Sequence, residues 1–136
     1  MKATVLDTNV LISGMINPNG APGRIVDLLR EGVIELVVDD RILDEYVRVL
    51  RRPCFRKYFT KAECEDVISY LENSPLRIVS SVLLSGLPDE SDTPFAESAL
   101  AAAVPLVTGN SKHFPKRACR GLRVLTPAGF LKSLQE

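Results

Sequence analysis

The strongest constraint on the fold of this chain is a repeated change of hydrophobic period. Short apolar runs with no polar face recur between longer stretches whose apolar residues fall at helical spacing. Ala3 to Leu6 is such a run and stops at Asp7. Ile34 to Val38 is a second, Leu76 to Val79 a weaker third, and Leu106 to Thr108 and Leu122 to Leu125 are two more. Strands that are apolar on both faces belong in a parallel sheet covered by helices. The helical stretches lie between them. Arg24 to Glu31 carries Ile25, Val26, Leu28 and Leu29 after the turn-rich Asn17 to Gly23, and Gly32 stops it. Asp40 to Leu50 sets Leu43, Tyr46, Val47 and Leu50 on one face and ends before Pro53. Thr60 and Glu63 make a capping box ahead of the stripe Val67, Ile68 and Leu71. Pro94 favours a helix start that Phe95, Ala99, Leu100 and Ala103 continue, and Pro127 opens a last helix through Phe130, Leu131 and Leu134. The pattern predicts an α/β fold, with a central parallel sheet of about five strands and helices on both faces. With no repeat and no linker, residues 1–136 are expected to form one domain.

At 136 residues, 46% hydrophobic and 25% charged, the chain is long enough to bury a core, which excludes a disordered tail or a fibre. No apolar run approaches the roughly 18 to 20 residues of a membrane span, and Asp7 interrupts the N-terminus too early for a signal peptide. A cytoplasmic protein without membrane attachment is expected. Cys54, Cys64 and Cys119 contain no C-x-x-C pair, so reduced structural thiols are the reading.

Seventeen basic and seventeen acidic residues cancel to a formal net charge of zero, which on the total argues against a polyanion partner. The charges are nevertheless segregated. Asp27, Glu31, Glu35, Asp39, Asp40, Asp44 and Glu45 face only Arg30 and Arg41 in their stretch. From Arg48 to Lys61 there is no acid, but Arg48, Arg51, Arg52, Arg56, Lys57 and Lys61 alternate with Phe55, Tyr58 and Phe59. Asp89, Glu90, Asp92 and Glu97 form a second acidic block, and Lys112, Lys116, Arg117, Arg120, Arg123 and Lys132 follow it. Cations interleaved with rings suit a phosphate backbone and unpaired bases, although a solvated helix face explains such blocks about as often.

Ligands of an open parallel sheet bind beyond the carboxyl ends of its strands. Asp7 stands there after the first strand, and Thr108-Gly109-Asn110-Ser111 after the fourth. Asp92, with Asp89 and Glu90 before it, leads the helix that enters the fourth strand. Converging carboxylates repel unless a cation lies between them, and oxygen donors favour Mg²⁺ or Mn²⁺. His113 and the cysteines lack metal spacing. Duller roles exist for each residue: Asp7 as a helix cap, Asp92 as a helix-dipole residue, Glu45 as one rung of an ion-pair ladder between Arg41 and Arg48, and Asn110 as a turn residue.

Five motifs in order decide between these readings. They are V-L-D-T-N-V-L-I-S, D-E-Y-V-R-V-L-R-R-P, D-E-S-D-T-P-F-A-E-S-A-L-A-A-A, L-V-T-G-N-S-K-H-F-P and R-V-L-T-P-A-G-F-L. Together they resemble the PIN-domain nucleases, most closely the VapC-like PIN toxins of prokaryotic toxin–antitoxin operons. The resemblance implies a three-layer PIN-like fold and a metal-dependent endoribonuclease hydrolysing single-stranded or looped RNA with one or two Mg²⁺ or Mn²⁺ ions. It makes Asp7, Glu45 and Asp92 the metal-binding carboxylates, and Asn110 a catalytic residue where many members carry a fourth acid. It gives Thr8 and Asn9 a role in steadying Asp7, and gives Asp89 an auxiliary place in a stretch where Glu90 and Ser91 depart from the common pattern. Arg48, Arg51, Arg52, Arg56, Lys57, Lys112 and Lys116 are then the RNA contacts, with Phe55, Tyr58 or Phe59 for stacking. A small cognate antitoxin and a homodimer are the implied partners, and the Val67, Ile68, Leu71 stripe is one face on which a dimer could form, though core packing explains it equally well. A haloacid-dehalogenase-type phosphatase is excluded because Asn9 holds the place of its second Asp, and no phosphate-binding glycine motif follows any strand. The alternative is a non-catalytic PIN-like RNA-binding or protein-interaction module.

Overall fold

The computed structural model describes residues 2–74 and 76–136. Its centre is a five-stranded parallel sheet in the order β3-β2-β1-β4-β5, with β1 at Lys2–Leu6, β2 at Ile34–Val38, β3 at Leu76–Arg77, β4 at Leu106–Val107 and β5 at Val124–Leu125. Val5 and Leu6 pair with Leu106 and Val107 on one side of β1, while Lys2, Ala3 and Thr4 pair with Ile34, Glu35 and Leu36 on the other. The chain therefore leaves β1 toward β2 and β3 and returns to its opposite side at β4. That reversal opens a crevice beyond the carboxyl ends of β1 and β4.

Helices α1 (Thr8–Ile16) and α2 (Ala21–Arg30) link β1 to β2, and α3 (Asp40–Leu50) and α4 (Lys61–Glu72) link β2 to β3. Helix α5 (Thr93–Ala102) precedes β4 and packs on β1, β2 and β4, while α6 (Pro127–Ser133) returns to pack against α2. Helix α5 also touches α3, with the Tyr46 ring 6.2 Å from that of Phe95. The five strands and the helical layers are those expected from the hydrophobic period.

The sequence reading passed over α1. Val10, Leu11 and Ile12 are buried and Met15 and Ile16 pack against the core, so the exposed face is reduced to two small polar residues, Asn9 and Ser13, too few to reveal its period. Helix α2 also begins inside the stretch read as turn, because Pro22 stands in its first turn and needs no hydrogen-bond partner there. The two helices are nearly in backbone contact: a Cβ on Gly14 would lie 2.6 Å from the Pro22 carbonyl oxygen. Strands β3, β4 and β5 are each two residues long, shorter than their apolar runs. The stripe offered as a dimer face is instead core, since Val67, Ile68 and Leu71 are all buried.

A buried ionic network joins α3 to α5. Asp39 caps α3 by accepting from the Ile42 N–H at 2.8 Å, and it also accepts from Arg41 and from the Ser98 hydroxyl of α5. Arg41 reaches across to Glu97 of α5 at 2.7 Å, and the other Glu97 carboxylate oxygen accepts the Leu84 N–H at 2.8 Å. Asp39 and Glu97 are almost fully buried, so Arg41 compensates both charges. It is therefore not the partner of Glu45.

Candidate active site

Asp7, Thr8, Asn9, Glu45, Arg48, Arg52, Asp89, Ser91, Asp92 and His113 line one open cleft of about 380 Å³ at the crevice between β1 and β4. Each acid comes from a separate element. Asp7 follows β1, Glu45 lies on α3, and Asp92 stands at the start of α5.

Asp7 occupies the cap position of α1 but makes no side-chain cap hydrogen bond. Its Oδ2 instead accepts from the Thr108 hydroxyl at 2.7 Å, and its backbone N–H donates to Val107 at 2.9 Å. Thr108 in turn accepts the Asn110 N–H at 3.0 Å. The carboxylate is thus fixed by the neighbouring strand end and left facing the cleft. Glu45 accepts from the Thr8 hydroxyl and lies 3.9 Å from Arg48. Tyr46, the next residue on α3, is fully buried and donates to the Leu6 carbonyl at 2.5 Å, which ties the helix carrying Glu45 to the strand carrying Asp7.

Asp92 also makes no side-chain cap hydrogen bond; its buried Oδ2 has His113 Nδ1 at 3.0 Å as its partner. Burial first, then the charges of Asp7 and Asp89, push the Asp92 carboxyl up to about 6. The charges of Asp7 and Asp89 thus disfavour ionisation of Asp92, and the nearby His113 offsets only part of that effect. Asp89 is more conventional. It accepts from the Ser91 N–H and hydroxyl, which hold its carboxyl below the usual range.

The donor set of Asp7, Glu45 and Asp92 fits a hard divalent cation in chemistry, being all oxygen. Among the described residues, no group of three His, Cys, Asp or Glu side chains is drawn together as a finished metal cage. Glu45 and Asp7 spend hydrogen bonds on Thr8 and Thr108, so ligation by all three acids requires side-chain adjustment.

Other sequence-predicted residues are placed differently. Asn110 is exposed and outside the cleft lining; the side chain from this motif that touches Asp7 is Thr108. Arg48 and Arg52 line the cleft, but Arg51 is engaged by Glu65 at 2.8 Å. Arg56 donates to the Leu50 carbonyl and packs over Phe59, while Lys57 lies over Tyr58. Phe59 is buried with Phe55 stacked on it, so of the three rings only Tyr58 is exposed for a base. Lys112 and Lys116 are exposed on either side of His113. Thr108, buried behind Asp7, and His113, in the cleft lining, are the residues at the site to which the sequence alone gives no role. Thr108 carried a usable signal, being a polar residue at a strand's carboxyl end like Asp7. His113 carried none, because its neighbour Asp92 is distant in sequence.

Fold and site together define a class: a parallel α/β domain that gathers carboxylates from three elements at its switch-point crevice. The PIN domain family model matches residues 3–112, and the chain belongs to that family. PIN domains are generally nucleases. The chain is 32% identical over 107 residues to the uncharacterized protein MJ1680 of Methanocaldococcus jannaschii, covering 78% of this chain and 69% of that one. Among solved structures it resembles a chain of VapBC2 from Rickettsia felis bound to a DNA fragment from their promoter. That match has a TM-score of 0.59 at 18% identity and covers 91% of this chain and 98% of the other. Among the described residues no helix is long and apolar enough to cross a membrane.

Proposed function

We propose that this PIN domain is a divalent-metal-dependent endoribonuclease and the toxin of a toxin–antitoxin pair. The observation that carries the reading is the cleft that Asp7, Glu45 and Asp92 line together beside Arg48 and Arg52. The three carboxylates are the residues to hold Mg²⁺ or Mn²⁺. Bound there, a divalent ion supplies water activation near neutral pH and charge neutralisation at the phosphate. The chain's own residues do the positioning. Thr108 holds Asp7, Thr8 holds Glu45, and Tyr46 keeps α3 in register with β1. Arg48 and Arg52 draw the anionic backbone of a single-stranded or looped RNA toward a centre that would otherwise repel it. The VapBC2 likeness supports a small antitoxin as partner, and a homodimer and cytoplasmic location accord with that assembly.

The test is hydrolysis of a structured RNA by purified protein. Cleavage is expected with Mg²⁺ or Mn²⁺, none in EDTA, and a loss of a hundredfold or more, on the order of one essential catalytic interaction, in Asp7→Asn and Asp92→Asn. Equal cleavage by Asp92→Asn and the parent would refute the site. The second reading, a non-catalytic RNA-binding or interaction module, draws on Asn110, an amide that stands outside the cleft. RNA binding unaffected by EDTA and without cleavage would favour it.

A further inference from the structure

One wall of the cleft carries an imidazole held in a fixed direction. His113 ends a short 3₁₀ turn, Ser111–His113, that follows β4, and the next residue, Phe114, is buried in the core, so the backbone beneath the ring is anchored. The ring is pinned at one nitrogen: Nδ1 donates to the buried Asp92 Oδ2 at 3.0 Å. The two ring nitrogens flank a single carbon, so a bond at Nδ1 turns Nε2 away from the acid. The side chain is 42% exposed and lines the cleft, which leaves Nε2 open to a bound strand.

The walls of the cleft differ in what they can hold. Arg48 and Arg52, on α3 and just beyond it, suit phosphates. On the side of His113 stand Asp89 and Asp92, both close enough to feel its charge. A phosphate there would meet two carboxylates, whereas a neutral polar group would not. A ribose 2′-hydroxyl is neutral and both donates and accepts, so it pairs with Nε2 whether or not that nitrogen carries a proton. We infer that His113 is a specificity-determining residue whose Nε2 hydrogen bonds a ribose 2′-hydroxyl and so distinguishes RNA from DNA. This rests on the ribonuclease reading above and names the side chain that reads the sugar.

The experiment uses the full chain in EDTA and low salt at about pH 7.5, so that binding is read without cleavage. Fluorescence anisotropy gives the affinity for one single-stranded sequence made as RNA, as DNA and as 2′-fluoro RNA, whose sugar keeps the RNA shape but has no hydroxyl proton. The parent should bind RNA about three- to tenfold tighter than 2′-fluoro RNA, the size of one neutral hydrogen bond, and DNA no tighter than the 2′-fluoro strand. His113→Ala and His113→Asn should each bind RNA and 2′-fluoro RNA within about twofold of one another, with affinity for the 2′-fluoro strand unchanged. Asn can replace the Nδ1–H donor to Asp92 but ends short of Nε2, so it keeps the structural bond and loses only the contact with the sugar. Equal affinity of the parent for RNA and 2′-fluoro RNA overturns the inference, as does a preference retained in His113→Asn. A loss of equal size for all three strands in His113→Ala, with a smaller salt slope, makes His113 a phosphate contact and overturns it too. Failure of the parent to bind any strand also overturns it, and the Mg²⁺ cleavage test above then decides separately whether the ribonuclease reading stands.

Discussion

Asp92→Asn should make the metal-free protein more stable while removing its activity. The carboxyl of Asp92 is raised from its ordinary 3.8 to about 6. A group whose folded pKa is raised favours the fold below its unfolded pKa, and that contribution is lost as pH rises through the folded value. For Asp92 the window runs from about pH 4 to about pH 6, and above it the folded state carries a charge that its surroundings disfavour. Two pKa units correspond to an upper limit of about 3 kcal/mol, and the cost of burying the substituted amide leaves on the order of half of that. Urea denaturation in EDTA at about pH 7.5 should show the Asp92→Asn variant more stable than the parent by that amount, and the difference should fade toward pH 4. Adding Mn²⁺ should reverse the order, since only the parent gains from binding. A variant equally or less stable than the parent in EDTA at pH 7.5 would refute the claim that the fold disfavours the charged Asp92.

Three further outcomes follow from the contacts. Arg41→Ala leaves Asp39 and Glu97 buried without their cation and should cost about 3 kcal/mol or more in urea denaturation, whereas Arg24→Ala, from an exposed pair, should cost less than about 1 kcal/mol. Arg48→Gln and Arg52→Gln should each lower the salt dependence of RNA binding by about one counter-ion, while Arg51→Gln, whose side chain is held by Glu65, should lower it less. Thr108→Val removes the donor to Asp7 and should weaken Mn²⁺ binding by about tenfold with the fold intact; unchanged affinity by calorimetry would show that Asp7 needs no such anchor.

Strands and helices were legible where the period was clean. Ile34 to Val38 and Asp40 to Leu50 appear at their predicted bounds because each buries one consistent set of apolar residues. Helix α1 was not legible, since its exposed face carries only Asn9 and Ser13 with no charged residue, and so short a stripe gives no periodic signature. The acids of the site were legible for a topological reason: Asp7 ends a strand and Asp92 begins a helix at the same sheet edge, with Glu45 reached only through the family motifs. The supporting hydrogen bonds were not. Thr8 with Glu45, Tyr46 with Leu6 and Thr108 with Asp7 join residues separated by long stretches of chain, and no local spacing encodes such pairs.

The charge segregation gains a sharper meaning from the same contacts. Read along the chain, the block from Arg48 to Lys61 is a uniform basic strip, but folding uses up much of it. Glu65 takes Arg51, a carbonyl and a ring take Arg56, and the apolar core takes Phe59. What reaches the cleft is Arg48 and Arg52, on the last turn of α3 and just beyond it. Glu45 lies on that same helix one turn before Arg48, so α3 presents a carboxylate and a cation from one rigid element. Their separation is therefore fixed by helix geometry rather than by loop flexibility. For the proposed ribonuclease, zero net charge provides no long-range field to gather RNA, and this local arrangement is what would hold a phosphate next to the acids.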